Sequence, residues 1–341
     1  MLTYEEHPRE IVVPFRFEDE ERHQIAIREA GEVLRFEADS GQGFSGLHLN
    51  RGAGKAVVLK LNAFAEASNN PEQQFIAYQN AAANPDKEFV MLDLPSHGYS
   101  DNMTRPQRKE IAATGGFSQV GEAQAEALRN RLPNAAAATT GASTGAIAVA
   151  DVARKAAELG VEPVGVIGYE MLGLEKRPSP VVAFNYFVRE TLKTSKLYGE
   201  NNWNEAGYKA FDAFKWDLQQ AGGVDPNYRI YRMFQRDPRF LTYIFHNMPM
   251  ASGQGLYAFE RFMDEQPTAM ASLVFGGLSA MCRWRKLQTP LGMLQQRYPG
   301  RLLVGLYPDD SHGMNFYPES PRIAADTKAR IDEMQNARKP L

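Results

Sequence analysis

Gly141-Ala142-Ser143-Thr144-Gly145 lies between two runs of opposite character. Before it, Ala135 to Thr140 is short and apolar and reads as a strand, although alanine is a poor strand former. After it, Thr144 to Leu159 reads as a helix, stopped by Gly160 in the position of a C-terminal glycine cap. A serine on a sharp strand-to-helix turn presents its hydroxyl above the sheet, and side chains two residues either side would collide with neighbouring backbone, so glycine fits there. The helix that follows brings unpaired N–H groups and a positive dipole end beside the hydroxyl. Such a five-residue pattern arises by chance in roughly one chain of this length in ten. Its place, at the end of a strand and the start of a long helix, therefore carries the reading.

Working outward, Ala56 to Leu61 and Phe89 to Leu94 read as strands buried on both faces, with Pro71 to Ala83 a helix between them. Ser118 to Leu132 is a helix closed by Pro133, and Val164 to Gly168 is a further buried strand. Strands alternating with helices predict a mostly parallel sheet with helices on both faces. The first fifty residues predict an antiparallel edge, from Ile11 to Phe17, Gln24 to Arg28 and Glu32 to Phe36, with a turn at Ala30-Gly31 and with His7 and His23 solvated. From about Gly173 to Glu265 the rhythm stops. Helical stretches are expected at Val182 to Leu197, Asn204 to Gln220 and Gly253 to Met263. The rhythm returns with a strand at Ser272 to Gly276, a helix at Pro290 to Tyr298, the apolar strand Arg301 to Tyr307 and a polar helix from Pro321 to Asn336. The expected organisation is a core of residues 1–172 and 266–341 with a helical cap inserted at 173–265.

Composition bounds the rest. The 341 residues carry 38 basic and 41 acidic side chains, a formal net charge of -3, and 43% apolar residues. That is enough for a substantial core and gives no electrostatic footprint for nucleic acid. Cys282 is the one cysteine, so no intrachain disulfide and no thiolate-cluster metal site is expected. No run of about 20 apolar residues predicts a membrane span, and the charged N-terminus lacks the apolar stretch of a secretory signal. A cytoplasmic location is the expectation. The oligomeric state is left open.

The order of these segments resembles the α/β-hydrolase superfamily, in its serine-nucleophile form with a helical cap. Asp93-Leu94-Pro95-Ser96-His97-Gly98-Tyr99-Ser100-Asp101 is similar to a stretch, Asp-x-Pro-Gly-x-Gly-x-Ser, that capped members carry after the fourth strand; Ser96 stands where the first glycine is usual. The resemblance makes Ser143 the nucleophile. It makes His312, in Pro308-Asp309-Asp310-Ser311-His312-Gly313 after the last strand, the general base, a role suited to an imidazole because it titrates near neutral pH. His97 is expected to hold its loop. His246 and His48 are weaker candidates for the base, assigned to the cap and the sheet edge. The oxyanion loop would be Leu61-Asn62-Ala63-Phe64-Ala65-Glu66 in place of the family's His-Gly, with the N–H groups of Phe64 and Thr144 as donors.

The family's usual acid follows its seventh strand, and the equivalent stretch here, Leu273 to Ala280, holds no carboxylate. Glu170, after Val164 to Gly168, is the favoured substitute; Asp309, Asp310 or no acid at all are the alternatives. Aromatic residues of the insertion, among them Phe184, Tyr186, Phe187, Tyr198, Trp203, Tyr208, Phe211, Phe214 and Trp216, are expected mostly to form core, with a minority lining a pocket between cap and core. The expected function is hydrolysis of an ester or related acyl substrate, apolar or aromatic, without cofactor or metal. An acyltransferase and a non-catalytic binding protein of the same fold are the alternatives.

Overall fold

The computed structural model describes residues 2–8, 10–63, 66–171, 180–198, 204–222, 254–315 and 317–338. Nine strands form one sheet, in the order β1-β9-β8-β7-β6-β4-β5-β3-β2. They are β1 Glu5–Glu6, β2 Leu34–Glu37, β3 Gly43–Leu49, β4 Ala56–Leu61, β5 Glu88–Leu92, β6 Ala136–Ala142, β7 Glu162–Tyr169, β8 Met270–Gly276 and β9 Leu302–Tyr307. β3 runs antiparallel to both β2 and β5, and every other pairing is parallel. The buried parallel centre is as expected; the antiparallel edge is built from β2 and β3, and of the segments expected to form it only Glu32 to Phe36 contributes a strand.

The helices follow from local signals. α1 (Glu20–Gly31) starts at Asp19, whose carboxylate accepts the Glu21 N–H at 2.8 Å. α2 (Pro71–Ala83) is capped by Asn70. α3 (Arg105–Thr114) begins with a Thr104–Gln107 capping box and ends at Gly115 in a left-handed conformation. α4 (Ser118–Arg131) and α5 (Ser143–Glu158) flank β6 in the chain. Between β7 and β8 lie α6 (Pro180–Leu197), α7 (Glu205–Gln220) and α8 (Gln254–Glu265). α9 (Trp284–Arg297) joins β8 to β9, and α10 (Ser320–Ala337) follows β9.

Strand periodicity sends alternate residues to two cores. Val57, Leu59 and Leu61 face the side packed by α4, α5, α8 and α9, with Phe259 and Phe262 of α8 fully buried there. Val58 faces the other side, covered by α1, α2, α7 and α10. The boundary drawn at 265/266 thus falls after a helix whose aromatic side chains lie in the core beside α5. No described helix is long and apolar enough to cross a membrane.

Several expectations near the N-terminus are corrected. Gln24 to Arg28 is helix: the buried set His23, Ala26, Ile27, Glu29 and Ala30 follows the 3.6-residue period, which the short alternation of Ile25 and Ile27 disguises. Ile11 to Phe17 forms no strand. His23 is 8% exposed and pairs through Nδ1 with the Tyr78 hydroxyl at 2.8 Å, so it is no solvated residue. His7 is partly buried and stacks on Tyr307. The helix expected from Pro290 begins six residues earlier and carries Pro290 inside it.

Candidate active site

Ser143 lies where β6 hands over to α5. Ala142 is still extended, and Ser143 turns to φ +51°. A left-handed conformation costs a non-glycine residue roughly 1–2 kcal/mol. The two glycines are needed for close approach. A Cβ on Gly141 would lie 2.8 Å from the Gly145 carbonyl carbon, and one on Gly145 would lie 2.5 Å from the Leu61 oxygen and 2.7 Å from that of Asn62. The elbow is therefore packed directly against the C-terminal end of β4. Between β4 and β6 the sheet order reverses, the position where parallel α/β sheets leave a crevice above their strand ends.

His312 follows β9, in a short 3-10 turn. Its Nε2 stands 2.8 Å from Ser143 Oγ, and its Nδ1 stands 2.8 Å from Glu170 Oε2. The imidazole is 14% exposed and the carboxylate fully buried. With the Glu170 oxygen as acceptor, Nδ1 carries the proton and Nε2 can accept from the serine hydroxyl.

Glu170 is the first residue after β7 and also takes a left-handed conformation, at φ +50°. Its backbone is tied to β8 by Glu170 N–H donating to the Val274 oxygen at 2.8 Å. The Gly276 N–H donates to its Oε1, and the Ser279 hydroxyl donates to its Oε2 at 2.6 Å. The stretch that lacks a carboxylate thus supplies donors to one. Asp309 and Asp310 are engaged otherwise: Asp309 is exposed, and Asp310 is ion-paired to Arg322 at 2.6 Å and bonded to the Tyr198 hydroxyl. Of the acids weighed from the sequence, Glu170 is the one brought to the imidazole.

Cys282 also enters this site. Its Sγ donates to the carbonyls of Glu170 and Met171, each at 3.3 Å, and lies 3.9 Å from His312 Nδ1. Glu170, Cys282 and His312 are, among the described residues, the side chains close enough to hold a metal ion together. Two of them are already hydrogen-bonded to each other.

Of the two expected oxyanion donors, Thr144 is buried in the first turn of α5, where N–H groups have no intrahelical acceptor. Phe64 lies outside the described residues. The loop that carries it is braced at both ends by Asp93, which accepts from Asn62 Nδ2, the Ser68 N–H and the Ser68 hydroxyl, each at 2.8 Å, and from the Ser45 hydroxyl at 2.5 Å. Complete burial outweighs these donors and pushes the Asp93 carboxyl up to about 6. His97 sits in the loop that Asp93 opens after β5, fully buried, its Nδ1 donating to the Pro95 oxygen at 3.0 Å. Burial pushes its imidazole down to about 4, so it is neutral at physiological pH. Ser96, in the glycine position of the resembled motif, keeps a glycine-like conformation at φ +68°. His48 lies one strand in from the sheet edge, buried against Glu88. His246 lies outside the described residues.

Solved structures with this arrangement of strands and helices are numerous. A candidate aryl esterase from Burkholderia cenocepacia matches with a TM-score of 0.52 at 11% identity, over 89% of this chain and 100% of its own. The chain has the α/β-hydrolase fold. An esterase from Pyrococcus furiosus matches with a TM-score of 0.50 at 12% identity, over 97% of this chain and 98% of the other. A hyperthermophilic esterase from Pyrobaculum calidifontis gives 0.50 at 12% identity, over 92% and 91%. No protein-family model and no curated protein matches the sequence. On the α/β-hydrolase fold, Ser143, Glu170 and His312 stand at the C-terminal ends of β6, β7 and β9, on one edge of a parallel stack.

Ser279, Cys282 and Glu190 are site contacts that are not among the residues expected from the sequence. Ser279 and Cys282 stand in the stretch where the missing acid was sought, and that absence was the available signal. Glu190 offers none, since its partner His312 is 122 residues away in the chain.

Proposed function

We propose that the chain is a serine hydrolase that cleaves an ester or a related acyl substrate through an acyl-enzyme on Ser143. The observation that carries the reading is the imidazole of His312, 2.8 Å from the Ser143 hydroxyl on one side and 2.8 Å from the Glu170 carboxylate on the other. Attack by Oγ on the carbonyl carbon passes the serine proton to Nε2. The tetrahedral oxyanion is held by the N–H groups of Thr144 and Phe64, and collapse expels the alcohol with the proton from Nε2. Water, activated by the same nitrogen, then releases the acid and restores the serine. Glu170 stays ionised, holds the tautomer and stabilises the imidazolium that forms in each step.

In this reading the helical cap is the insertion at 173–265, although α7 and α8 each send aromatic side chains into the core. Phe211 and Phe214 of α7 pack on Phe75 of α2, so they belong to the core expected for most of the insertion's aromatics. The apolar or aromatic acyl group is proposed from the aromatic composition of the insertion's sequence alone.

The test is a fluorophosphonate probe, which labels an activated serine covalently. Wild type is labelled and Ser143→Ala is not; a wild type that stays unlabelled removes the proposal. A series of p-nitrophenyl esters of increasing acyl length then sorts short from long acyl groups.

A further inference from the structure

α6 belongs to the insertion, yet one of its faces grips the core loop that carries His312. Glu190 is 4% exposed, and its Oε1 accepts the His312 N–H at 2.7 Å. Its Oε2 accepts the Ala280 N–H at 2.6 Å. One turn on, Thr194 lies against Gly313 so tightly that a Cβ there would sit 2.5 Å from Thr194 Cγ2. A further turn on, the Tyr198 hydroxyl accepts the Ser311 N–H at 3.1 Å and donates to Asp310 Oδ1 at 3.1 Å. Positions 190, 194 and 198 recur every four residues and so share a helix face.

We propose that Glu190 is a positioning residue of the Ser143–His312–Glu170 site: its carboxylate clamps the backbone of the base to the loop that holds the acid. This rests on the serine-hydrolase reading above. One oxygen holds residue 312 itself. The other holds Ala280, adjacent to Ser279, whose hydroxyl donates to Glu170. The two hydrogen bonds are short and their carboxylate is buried, which makes them directional constraints on both loops. A neutral or apolar side chain at 190 frees the base loop to move against the acid loop. Displacement of a reacting group by about 1 Å is enough to lower turnover about 100-fold.

A role limited to anchoring α6 is separable, because α6 has another tie to the same region. Lys193 Nζ donates to the Leu278 oxygen at 2.6 Å, an exposed bond to the same loop that reaches none of Ser143, His312, Glu170 or Ser279. Wild type, Glu190→Ala, Glu190→Gln and Lys193→Ala are compared for fluorophosphonate labelling rate, for kcat and KM on a short p-nitrophenyl ester, and for melting temperature. Glu190→Ala lowers kcat and the labelling rate together by about 100-fold with KM within twofold. Glu190→Gln retains the volume and one acceptor and falls by about 10-fold, which keeps the test valid if the alanine variant does not fold. Lys193→Ala stays within twofold. The inference is overturned by a glutamine variant with wild-type kcat, by a loss confined to KM, or by an equal loss in Lys193→Ala. An unlabelled wild type overturns the hydrolase reading and this inference with it; a labelled wild type with an unimpaired Glu190→Gln overturns this inference alone.

Discussion

Glu170→Gln replaces a two-sided acceptor by a group with one acceptor and one donor, and the surroundings decide which way it turns. Three donors converge on the native carboxylate: the Gly276 N–H on Oε1, and the Ser279 hydroxyl and His312 Nδ1–H on Oε2. The Gly276 N–H belongs to rigid strand backbone and cannot turn away. An amide nitrogen facing it would leave a buried donor unpaired, at about 1–3 kcal/mol. The Ser279 hydroxyl and the imidazole can both adapt. The amide oxygen therefore takes the Gly276 side, and the amide nitrogen donates to His312 Nδ1. The imidazole must then carry its proton on Nε2, which points at Ser143 Oγ as a donor, the wrong tautomer for a base. In a triad that error costs about 10⁴-fold in kcat, or about 5.5 kcal/mol of transition-state stabilisation. KM stays near wild type, because Glu170 is fully buried behind the imidazole. Stability falls by about 1–3 kcal/mol through the lost charge-assisted bonds. Steady-state kinetics on a p-nitrophenyl ester, with thermal denaturation alongside, measures both. Turnover within threefold of wild type would refute the assignment of Glu170 as the orienting acid.

The elbow makes a second prediction: Ser143→Gly and Ser143→Ala are both inactive, and the glycine variant melts higher, since only alanine bears the left-handed strain of about 1–2 kcal/mol. Equal melting temperatures would contradict a strained turn. Gly145→Ala sets a methyl 2.5 Å from the Leu61 oxygen, so it destabilises by about 1–3 kcal/mol and abolishes labelling of Ser143; a variant of wild-type stability and labelling would mean that the turn is looser than this. Asp93 and His97 predict opposing pH effects. The Asp93 carboxyl, raised to about 6 from 3.8, favours the folded state as pH falls through that window, because the folded protein binds the extra proton. The His97 imidazole, lowered to about 4 from 6.5, disfavours the folded state as pH falls, because the unfolded chain binds it. Melting curves between pH 4 and 6.5 therefore move in opposite directions relative to wild type, with Asp93→Asn more acid-sensitive and His97→Gln less, by roughly 1.4 kcal/mol per pH unit at most; parallel shifts would show that neither group is so perturbed.

What could be read from the sequence was whatever is local. The elbow is five residues whose glycines are fixed by a clash with β4, and its reading needed only a strand before it and a helix after. His312 was marked by its place after the last apolar strand. Glu170 stood out because it is a carboxylate at the end of a neighbouring buried strand, and the structure puts it beside the His312 imidazole. α3 carries start and stop signals too, in Thr104, Pro106, Gln107 and Gly115, yet it is absent from the expected elements. The misreading of Gln24 to Arg28 shows the limit of short windows, since five residues fit a period of two as well as one of 3.6. Glu190 was out of reach for another reason: its hydrogen bonds join α6 to loops 90 and 122 residues away, and no local pattern records such a contact.

Placing the acid after β7 changes what the loop after β8 must be. A second carboxylate at the usual position would stand beside Glu170, and two like charges sharing one imidazole would raise the pKa of one of them and leave it protonated. A protonated acid there would compete with Nδ1–H for the same oxygen. The loop has the opposite chemistry. Gly276 offers an N–H, Ser279 offers a hydroxyl, and the Cys282 N–H donates to Ser279 Oγ at 2.9 Å, so that the hydroxyl hydrogen is turned toward Glu170. Gly276 has a further constraint, because a Cβ on it would lie 2.5 Å from the Asp310 oxygen in the loop that leads to His312. The missing carboxylate after β8 is thus matched by donors that leave the buried Glu170 side chain fully hydrogen-bonded, and the same close approach brings the loop that carries His312 down onto the loop that holds Glu170.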